Sequence, residues 1–474
     1  MVKSYNSLSE IKSEIASGQT TVEKLVKGYL NTIAVNAGLN AFNEVFDQEA
    51  LARAKEIDLR IQRGIAGKLA GMVIAIKDNI CYKGHKVSAS SKILSGFTSI
   101  YSSTIVERLL AEDAVIIGRC NCDEFGMGAA NENSFFGPVK NFADETRVSG
   151  GSSGGSAVAV QAGMCHASIG TDTGGSVRQP AAFCGLIGMK PTYGRISRHG
   201  IIAYASSFDQ VGPITRSVED AALLLEVMCG RDEYDSTLAN VPVLSFRNEL
   251  KKPGVKKIAY LQEALSSPGV DDEIKSALIE SIEKLRADGH VVKSISFDFL
   301  EYVVPSYYIL AMAEASSNLS RYDGVHYGYR SPAATDLEST YKRSRSEGFG
   351  KEVKRRIMLG TFVLSAGYYD AYYAKAQKVR RLIKEKTDEI LREYDFIFIP
   401  TAPEPAFPIG KDEKDPVVTY LSDIFTVQAS LTGAPAISLP AGNNSKGLPL
   451  GLQLITRHFE EQELLNFSKY FLGL

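Results

Sequence analysis

The sequence predicts an α/β protein with a mostly parallel or mixed β-sheet, formed as one large domain over residues 1–474. Two observations predict this class. Short continuous apolar runs, typical of buried strands, alternate with stretches in which apolar residues recur at helical spacing. No repeat, low-complexity segment or proline-rich linker divides the sequence. Strands that alternate with helices favour a sheet of this kind.

The composition is that of an ordinary globular protein, with 44% hydrophobic and 23% charged residues. Lys and Arg number 53 against 55 Asp and Glu, which does not favour nucleic-acid binding through bulk charge. No apolar run resembles a signal peptide or a membrane span, and six scattered cysteines indicate a reducing compartment, so we expect a cytoplasmic protein. Cys120 and Cys122 have no second ligand pair at metal spacing, so no metal site is predicted.

The N-terminal region, about residues 1–65, is predicted to form helices that pack on the core. "SLSE" (7–10) and "TTVE" (20–23) both have the spacing of a helix capping box, and apolar residues at helical spacing follow each of them. "GMVIAI" (71–76) is a continuous apolar run and predicts a buried strand that ends on Lys77.

Further strands and helices alternate along the rest of the chain. The predicted strands are "AVIIG" (114–118), "KIAYL" (257–261), "HVVKSISF" (290–297), "FIFIP" (396–400), "AISLP" (436–440) and "LGLQLI" (450–455). The predicted helices are "SVEDAALLLEVM" (217–228), "DEIKSALIESIEKLRADG" (272–289) and the basic stretch 372–392.

The stretch "VSGGSSGGSAVAV" (148–160) could be a linker, a phosphate-binding loop or a catalytic loop. It is too short for a linker, and it leads directly into an apolar run that predicts a helix packed on the core. A P-loop requires a lysine directly after its second glycine, but Gly155 is followed by Ser156, and no dinucleotide-binding context follows. A catalytic loop is the remaining interpretation.

A second glycine-rich segment (170–197) contains Thr173-Gly174-Gly175-Ser176. Glycines there allow backbone N–H groups to converge on one point, as an oxyanion hole requires, with the serine hydroxyl at the tip. No histidine or aspartate lies in a convincing motif to activate this serine, but a buried lysine with a lowered pKa can be a base. Lys77 fits that role, although a lysine after a strand is usually solvated and Gly-Gly-Ser is usually a turn.

Taken together, Lys77, "GGSSGGSA" (150–157) and "TDTGGSVRQPAA" (171–182) resemble the amidase signature family. The resemblance implies a mixed, twisted sheet covered by helices on both faces. It also implies a triad in which Ser176 is the nucleophile, Ser152 the proton relay, behind a cis peptide bond, and Lys77 the base. The implied oxyanion donors are the N–H groups of Thr173, Gly174, Gly175 and Ser176.

Five further blocks narrow the resemblance: 208–225, 305–328, 349–383, 401–410 and 420–442. They are similar to the A subunits of tRNA-dependent amidotransferases that act on Glu-tRNA(Gln) or Asp-tRNA(Asn). This implies that Arg356 binds the α-carboxylate of glutamine and Asp423 its α-ammonium, with Tyr307 as a further contact. The choices of Arg356 over Arg355 and of Tyr307 over Tyr308 depend on register, and by itself Arg356 fits a solvated helix face equally well.

The implied reaction is hydrolysis of the glutamine side-chain amide through a γ-glutamyl ester on Ser176. The released ammonia would pass to a B subunit that binds tRNA, ATP and Mg²⁺, and a small C subunit would hold the two together; no cofactor is expected in this chain. Two alternatives stay open, a stand-alone amidase acting on another carboxamide and an inactive scaffold subunit.

Three positions depart from the family pattern. Ser149 stands where proline is usual, and Cys122 and Ala129 stand where methionine and serine are common. We expect none of them to touch the triad, so they should affect fine geometry and not activity.

Overall fold

The computed structural model describes residues 3–411 and 421–473. An 11-stranded sheet runs through this part of the chain. Its strands are Phe42–Val45 (β1), Val73–Lys77 (β2), Val115–Cys120 (β3), Ala167–Asp172 (β4), Ile187–Lys190 (β5), Gln210–Thr215 (β6), Lys257–Leu261 (β7), Val291–Ile295 (β8), Phe396–Pro400 (β9), Ala436–Asn443 (β10) and Pro449–Ile455 (β11). Their order across the sheet is β1-β3-β2-β4-β6-β5-β10-β11-β9-β7-β8.

The sheet is mixed, which confirms the predicted class. β2 is parallel to β3 and β4, and β7 is parallel to β8 and β9, whereas β4, β5, β6, β10 and β11 pair antiparallel with one another along the sheet. Every residue of β2, β3, β4 and β9 is buried. Because successive side chains of a strand point to opposite faces, helices must cover both faces of the sheet there.

The helices alternate with these strands along the chain. They are Leu8–Ala16 (α1), Val22–Val35 (α2), Asp47–Gln62 (α3), Thr104–Ala111 (α4), Gly154–Gln161 (α5), Arg178–Phe183 (α6), Val218–Met228 (α7), Glu263–Ser266 (α8), Asp272–Ala287 (α9), Leu300–Asn318 (α10), Leu337–Gly348 (α11), Lys351–Leu364 (α12), Lys375–Glu393 (α13), Val427–Thr432 (α14) and Glu461–Phe471 (α15). A π-helical turn, Tyr369–Ala374, precedes α13 and includes the first residues, 372–374, of the predicted basic helix.

The N-terminal helices pack on the core: the buried apolar side chains of α1, α2 and α3 belong to the main apolar cluster. Ser7 caps α1, and its side chain accepts a hydrogen bond from Glu10 N–H. The second cap lies one residue later than the capping-box spacing placed it. Thr21, not Thr20, caps α2 by accepting from Lys24 N–H at 3.2 Å.

All seven predicted strands are present, with their ends shifted by at most a few residues. The four strands that the sequence did not predict are β1, β4, β5 and β6. They are short or contain glycine and polar residues, as in "ASIGTD" and "QVGPIT", so neither a continuous apolar run nor strict alternation marks them. One of them, β4, leads directly into the second glycine-rich loop.

Candidate active site

The sheet brings the two glycine-rich segments and Lys77 together. β2 and β4 are parallel neighbours in which Ile76 pairs with Ile169, so their carboxyl ends lie at the same edge of the sheet. β2 ends at Lys77, and β4 ends at Asp172, immediately before residues 173–176. The Gly/Ser stretch continues into α5, which starts at Gly154 and is buried against this part of the sheet as predicted.

Lys77 is completely buried, and its four hydrogen bonds all go to uncharged oxygens. Nζ lies 2.7 Å from Ser152 Oγ and 2.9 Å from Ser153 Oγ. It lies 3.0 Å from Thr171 Oγ1 and 3.4 Å from the Thr171 carbonyl oxygen. Burial lowers the pKa of Lys77 because the ammonium form loses its hydration, and neighbouring acidic groups offset only part of this effect. This environment favours an amine that can accept a proton.

Ser152 is held from both sides of its loop. The Gly151–Ser152 peptide bond is cis, as the resemblance implies. Asp123 N–H donates to the Ser152 carbonyl at 3.1 Å, and Gly151 N–H donates to Gln179 Oε1 at 3.0 Å. A Cβ at position 151 would come within 2.2 Å of Asp123 Oδ2, so only glycine fits there.

Ser176 lies in the loop between β4 and α6, with 8% of its surface exposed. Within the described residues its Oγ makes no hydrogen bond, so the structure does not join the Ser152 and Ser176 hydroxyls directly. The two loops are joined instead by Ser153 N–H, which donates to the Ser176 carbonyl at 3.1 Å. Catalytic hydrogen bonds often close only when substrate is bound.

The backbone of this loop presents donors that have no partner. Across residues 3–411 and 421–473, the N–H groups of Gly174, Gly175 and Ser176 have no acceptor. Gly175 has φ +140°, a backbone conformation that glycine adopts without strain. The Thr173 hydroxyl donates to Asp209 Oδ1 at 2.6 Å and fixes the start of the loop. The arrangement suits the binding of an oxyanion.

A buried ion pair closes the base of the loop. Arg178 donates to Asp172 through Nε and Nη2, both at 2.9 Å, and neither residue has exposed surface. Burial raises the pKa of Asp172, but the charge of Arg178 and its hydrogen bonds outweigh this and leave the pKa below its ordinary value. Arg178 also donates to the Thr426 carbonyl at 2.8 Å and to Gln453 Oε1 at 3.1 Å. Such complete pairing is what a buried charge requires.

A second polar group is built on α12. Arg356 is 4% exposed, whereas the side chain of Arg355 is 39% exposed, so the geometry favours Arg356 as the residue that faces inward. Arg356 Nε donates to Glu352 Oε1 at 2.7 Å, and Nη1 donates to Tyr204 OH at 2.8 Å. The guanidinium lies 5.2 Å from the centre of the Tyr308 ring.

Two adjacent tyrosines of α10 connect this group to the oxyanion loop. Tyr308 OH donates to Asp423 Oδ2 at 2.7 Å. Tyr307 OH instead packs on Gly174, so closely that a Cβ at position 174 would lie 2.5 Å from the tyrosine oxygen. The structure therefore places Tyr307 against the catalytic loop and gives the contact with Asp423 to Tyr308. Tyr420, the first residue of the block that contains Asp423, lies outside the described residues.

Asp423 is buried, and burial raises its pKa to about 6. The hydrogen bond from Tyr308 and the charge of Arg356 lower the pKa and so oppose this rise in part. The carboxylate is therefore ionised above about pH 6 and can pair with a cation.

Sequence reasoning missed five residues of this site, Ser153, Thr171, Tyr204, Glu352 and Thr426, and it named Tyr308 only as the alternative to Tyr307. Ser153 and Tyr308 directly follow residues that were singled out, so their types were visible but their directions were not. Thr171 lies on β4, which was not predicted. Glu352 lies four residues before Arg356, a spacing that predicts a helical ion pair.

Cys122 and Ser149, two of the three departures from the family pattern, make their side-chain hydrogen bonds outside the triad. Lys77 pairs in register with Cys120, and Cys122, two residues later, is buried with its Sγ 3.3 Å from Ser90 Oγ. Burial raises the pKa of Cys122 to about 12, and the Lys77 charge partly opposes this. The Ser149 hydroxyl donates to the carbonyl of the next residue, Gly150, at 2.9 Å.

Comparison with known proteins agrees with this geometry. The sequence profile of the family described as Amidase matches residues 24–465. The chain belongs to the amidase family. The A subunit of the glutamyl-tRNA(Gln) amidotransferase of Chlorobium luteolum is 49% identical to this amidase over 468 residues, which cover 98% of this chain and 96% of the relative. The protein of the same name from Chlorobium phaeobacteroides strain DSM 266 is 50% identical over 472 residues, 98% of each chain.

Solved structures give the same result. The A subunit of the glutamyl-tRNA(Gln) amidotransferase of Thermotoga maritima superimposes with a TM-score of 0.77 at 40% identity, over 94% of this chain and 90% of that one. A peptide amidase of Stenotrophomonas maltophilia superimposes with a TM-score of 0.81 at 29% identity, over 98% and 95% of the two chains. The amidase fold is therefore shared with enzymes of different substrates.

Residues 3–411 and 421–473 contain no helix long and apolar enough to cross a membrane. In the same residues, no three His, Cys, Asp or Glu side chains are grouped as a metal site would need. The six cysteines are buried free thiols.

Proposed function

We propose that this amidase hydrolyses the side-chain amide of glutamine as the A subunit of a tRNA-dependent amidotransferase. The observation that carries the proposal is the pair of buried charges, Arg356 and Asp423, placed beside the Ser176 loop through Tyr307 and Tyr308. Opposite charges at one site suit the carboxylate and ammonium of a free amino acid. The A subunits of glutamyl-tRNA(Gln) amidotransferase that are 49% and 50% identical over 98% of this chain support the same function.

In the first half-reaction, neutral Lys77 accepts the proton of Ser152, and Ser152 accepts the proton of Ser176. The Ser176 Oγ attacks the carboxamide carbon, and the carbonyl electrons move onto the oxygen. The N–H groups of Gly174, Gly175 and Ser176, together with that of Thr173, stabilise this oxyanion. Electrostatic stabilisation of this kind is usually the largest single contribution to catalysis.

The tetrahedral intermediate then collapses and expels ammonia, which takes back the proton held on Lys77 through Ser152. This leaves a γ-glutamyl ester on Ser176. Water attacks the ester with the same base, and glutamate leaves while Ser176 regains its proton. The buried Lys77 therefore acts as base and then as acid in each half-reaction.

Recognition of glutamine depends on Arg356 for the α-carboxylate and Asp423 for the α-ammonium. Glu352 and Tyr204 hold the Arg356 guanidinium in place, and Tyr308 holds the Asp423 carboxylate. A glutamine within a peptide has neither charge at these positions. The site should therefore select free glutamine.

We further propose that the ammonia serves a B subunit that binds tRNA, ATP and Mg²⁺, and that a small C subunit joins the two. The amide acceptor would be Glu-tRNA(Gln), Asp-tRNA(Asn) or both. No cofactor is assigned to this chain, and tRNA contacts are assigned mainly to the B subunit, consistent with a formal net charge of −2. A cytoplasmic location completes the proposal, and the six free thiols support it.

The test is purification of the full-length chain with its associated subunits from the native cell, followed by assay on glutamine, a hydrophobic carboxamide and a C-terminally amidated peptide. We expect glutamine to be the preferred substrate and Ser176→Ala to abolish its hydrolysis. Preference for either other amide would indicate a stand-alone amidase. Failure to hydrolyse any amide or to form an ester on Ser176 would indicate an inactive scaffold.

A further inference from the structure

The peptide between Gly174 and Gly175 decides where one oxyanion donor points. This peptide is trans, so its carbonyl and the Gly175 N–H point in opposite directions. The Gly174 carbonyl accepts a hydrogen bond from Thr426 Oγ1 at 2.6 Å. The Gly175 N–H, which has no acceptor among the described residues, therefore points away from Thr426.

The backbone alone does not hold this orientation. Both residues of the peptide are glycines, which permit a wide range of φ and ψ, so their own backbone preferences do not fix the orientation of the peptide plane. Gly175 already has φ +140°. A specific contact is needed to keep the N–H directed towards the substrate.

Thr426 is suited to supply that contact because it is itself fixed. It is completely buried, and its side chain packs on Gly175, where a Cβ would lie 2.4 Å from Thr426 Oγ1. Its N–H donates to the Asp423 carbonyl at 3.0 Å, and its own carbonyl accepts from Arg178 Nη1 at 2.8 Å.

The single hydroxyl proton of Thr426 has two possible acceptors. The Gly174 carbonyl lies at 2.6 Å and the Asp423 carbonyl at 3.1 Å. The shorter contact takes the proton, since a hydroxyl donates one hydrogen bond. The Asp423 carbonyl is already satisfied by the N–H groups of Thr426 and Val427.

We propose that Thr426 is a positioning residue for catalysis: its hydroxyl orients the Gly174–Gly175 peptide so that the Gly175 N–H faces the developing oxyanion. It also links the segment that carries Asp423 to the loop that carries Ser176. The inference rests on the proposed function for the role of the Gly175 N–H, but it does not require that the amide be glutamine.

The test compares Thr426→Val, which keeps the shape and loses the hydroxyl, with Thr426→Ser, which keeps the hydroxyl. Loss of a whole oxyanion donor costs about 10²–10³ in kcat, and loss of its orientation should cost less, roughly 10–100-fold. We expect that fall for Thr426→Val with KM changed by less than about threefold, because an interaction made only in the transition state is lost. Thr426→Ser should retain kcat within about threefold.

The matched control is Thr432→Val, which removes a second buried threonine hydroxyl at the other end of α14, one that donates to the Gln428 carbonyl at 3.0 Å. We expect its kcat to stay near wild type while its Tm falls about as much as that of Thr426→Val. A Thr426→Val enzyme with wild-type kcat, a Thr426→Ser enzyme as slow as the valine variant, or an equal loss of kcat in the control would overturn the inference.

The kinetics are measured on whichever amide the wild-type complex hydrolyses fastest. If that amide is not glutamine, the proposed function fails while the comparison of Thr426 variants still decides the inference. A wild-type complex that hydrolyses no amide overturns both.

Discussion

Two lysines, Lys77 and Lys190, are the last residues of strands β2 and β5, and both are buried almost completely, at 0% and 1% exposed. Burial lowers the pKa of both, that of Lys190 to about 7. They differ in what surrounds the amine. Lys77 contacts three hydroxyls, whereas Lys190 Nζ donates to two carbonyl oxygens, those of Ala434 at 2.6 Å and Pro191 at 3.1 Å.

Because the two lysines share burial and a lowered pKa but differ in their partners, burial and a lowered pKa do not by themselves identify a catalytic base. A hydroxyl can give its proton to a neutral amine and take another from a second hydroxyl, but a carbonyl has no proton to give. Lys190 therefore fixes the segment before β10 to the end of β5. Lys77 has the partners that a proton relay requires.

The largest expected effect separates these two residues. We expect Lys77→Met to lower kcat by roughly 10²–10⁴-fold, the usual contribution of acid–base catalysis, because the base is removed. Lys190→Met should keep kcat within about threefold while lowering the free energy of unfolding by about 1–3 kcal/mol, because two buried carbonyls lose their donor. Steady-state kinetics and urea denaturation of both variants make the comparison. Similar losses of kcat in the two variants would show that hydroxyl partners do not distinguish a catalytic lysine from a structural one.

A slightly smaller effect is expected for Lys77→Arg. Arginine keeps a positive charge, but it cannot act as a base, because it stays protonated at any working pH. In the wild type, kcat/KM should rise with pH until the pKa of Lys77, which lies below 10.5, is passed, since only the neutral amine accepts a proton. The arginine variant should be almost inactive and lack this rise. Rate profiles from pH 6 to 10 measure it. An active Lys77→Arg enzyme with the wild-type profile would assign Lys77 a structural ion-pairing role.

The smallest expected effect concerns two buried acids, Asp123 and Asp423, which also differ in their hydrogen-bond partners. Burial raises the pKa of both Asp123 and Asp423 to about 6. Asp123 accepts from the backbone N–H groups of Asn131 and Asn133 at 2.9 and 3.0 Å, whereas Asp423 accepts from the Tyr308 hydroxyl. We expect Asp423→Asn to raise the KM for glutamine about 10–100-fold at pH 8, since hydrogen bonds to charged groups contribute roughly 1.5–3 kcal/mol.

The pH dependence of KM supplies the check. In the wild type, KM should rise as pH falls through about 6, because a protonated Asp423 no longer pairs with the α-ammonium of glutamine. That rise should be absent in Asp423→Asn. If it persists there, another acid controls the binding of glutamine, and Asp123 would be the next residue to substitute.

Most of the sheet was predictable because its strands are marked locally. Continuous apolar runs predicted β2, β3, β9 and β11 without any knowledge of their neighbours. β4 and β6 were not predictable in this way, since their burial depends on being central strands rather than on their composition. The catalytic loops were visible as Gly/Ser motifs.

The sequence by itself determined the residue types of the site: a lysine after an apolar strand, two glycine-rich loops ending in serines, and an arginine and an aspartate in blocks typical of amidotransferases. The tertiary structure decided which of these residues meet. It chose Arg356 over Arg355 by burial and Tyr308 over Tyr307 for the contact with Asp423. It also distinguished Lys77 from Lys190, which ends a strand in the same way. The physical reason is that a local pattern indicates a strand or helix and its apolar face, whereas the partners of Lys77 and Asp423, which are Ser152 and Tyr308, lie 75 and 115 residues away along the chain.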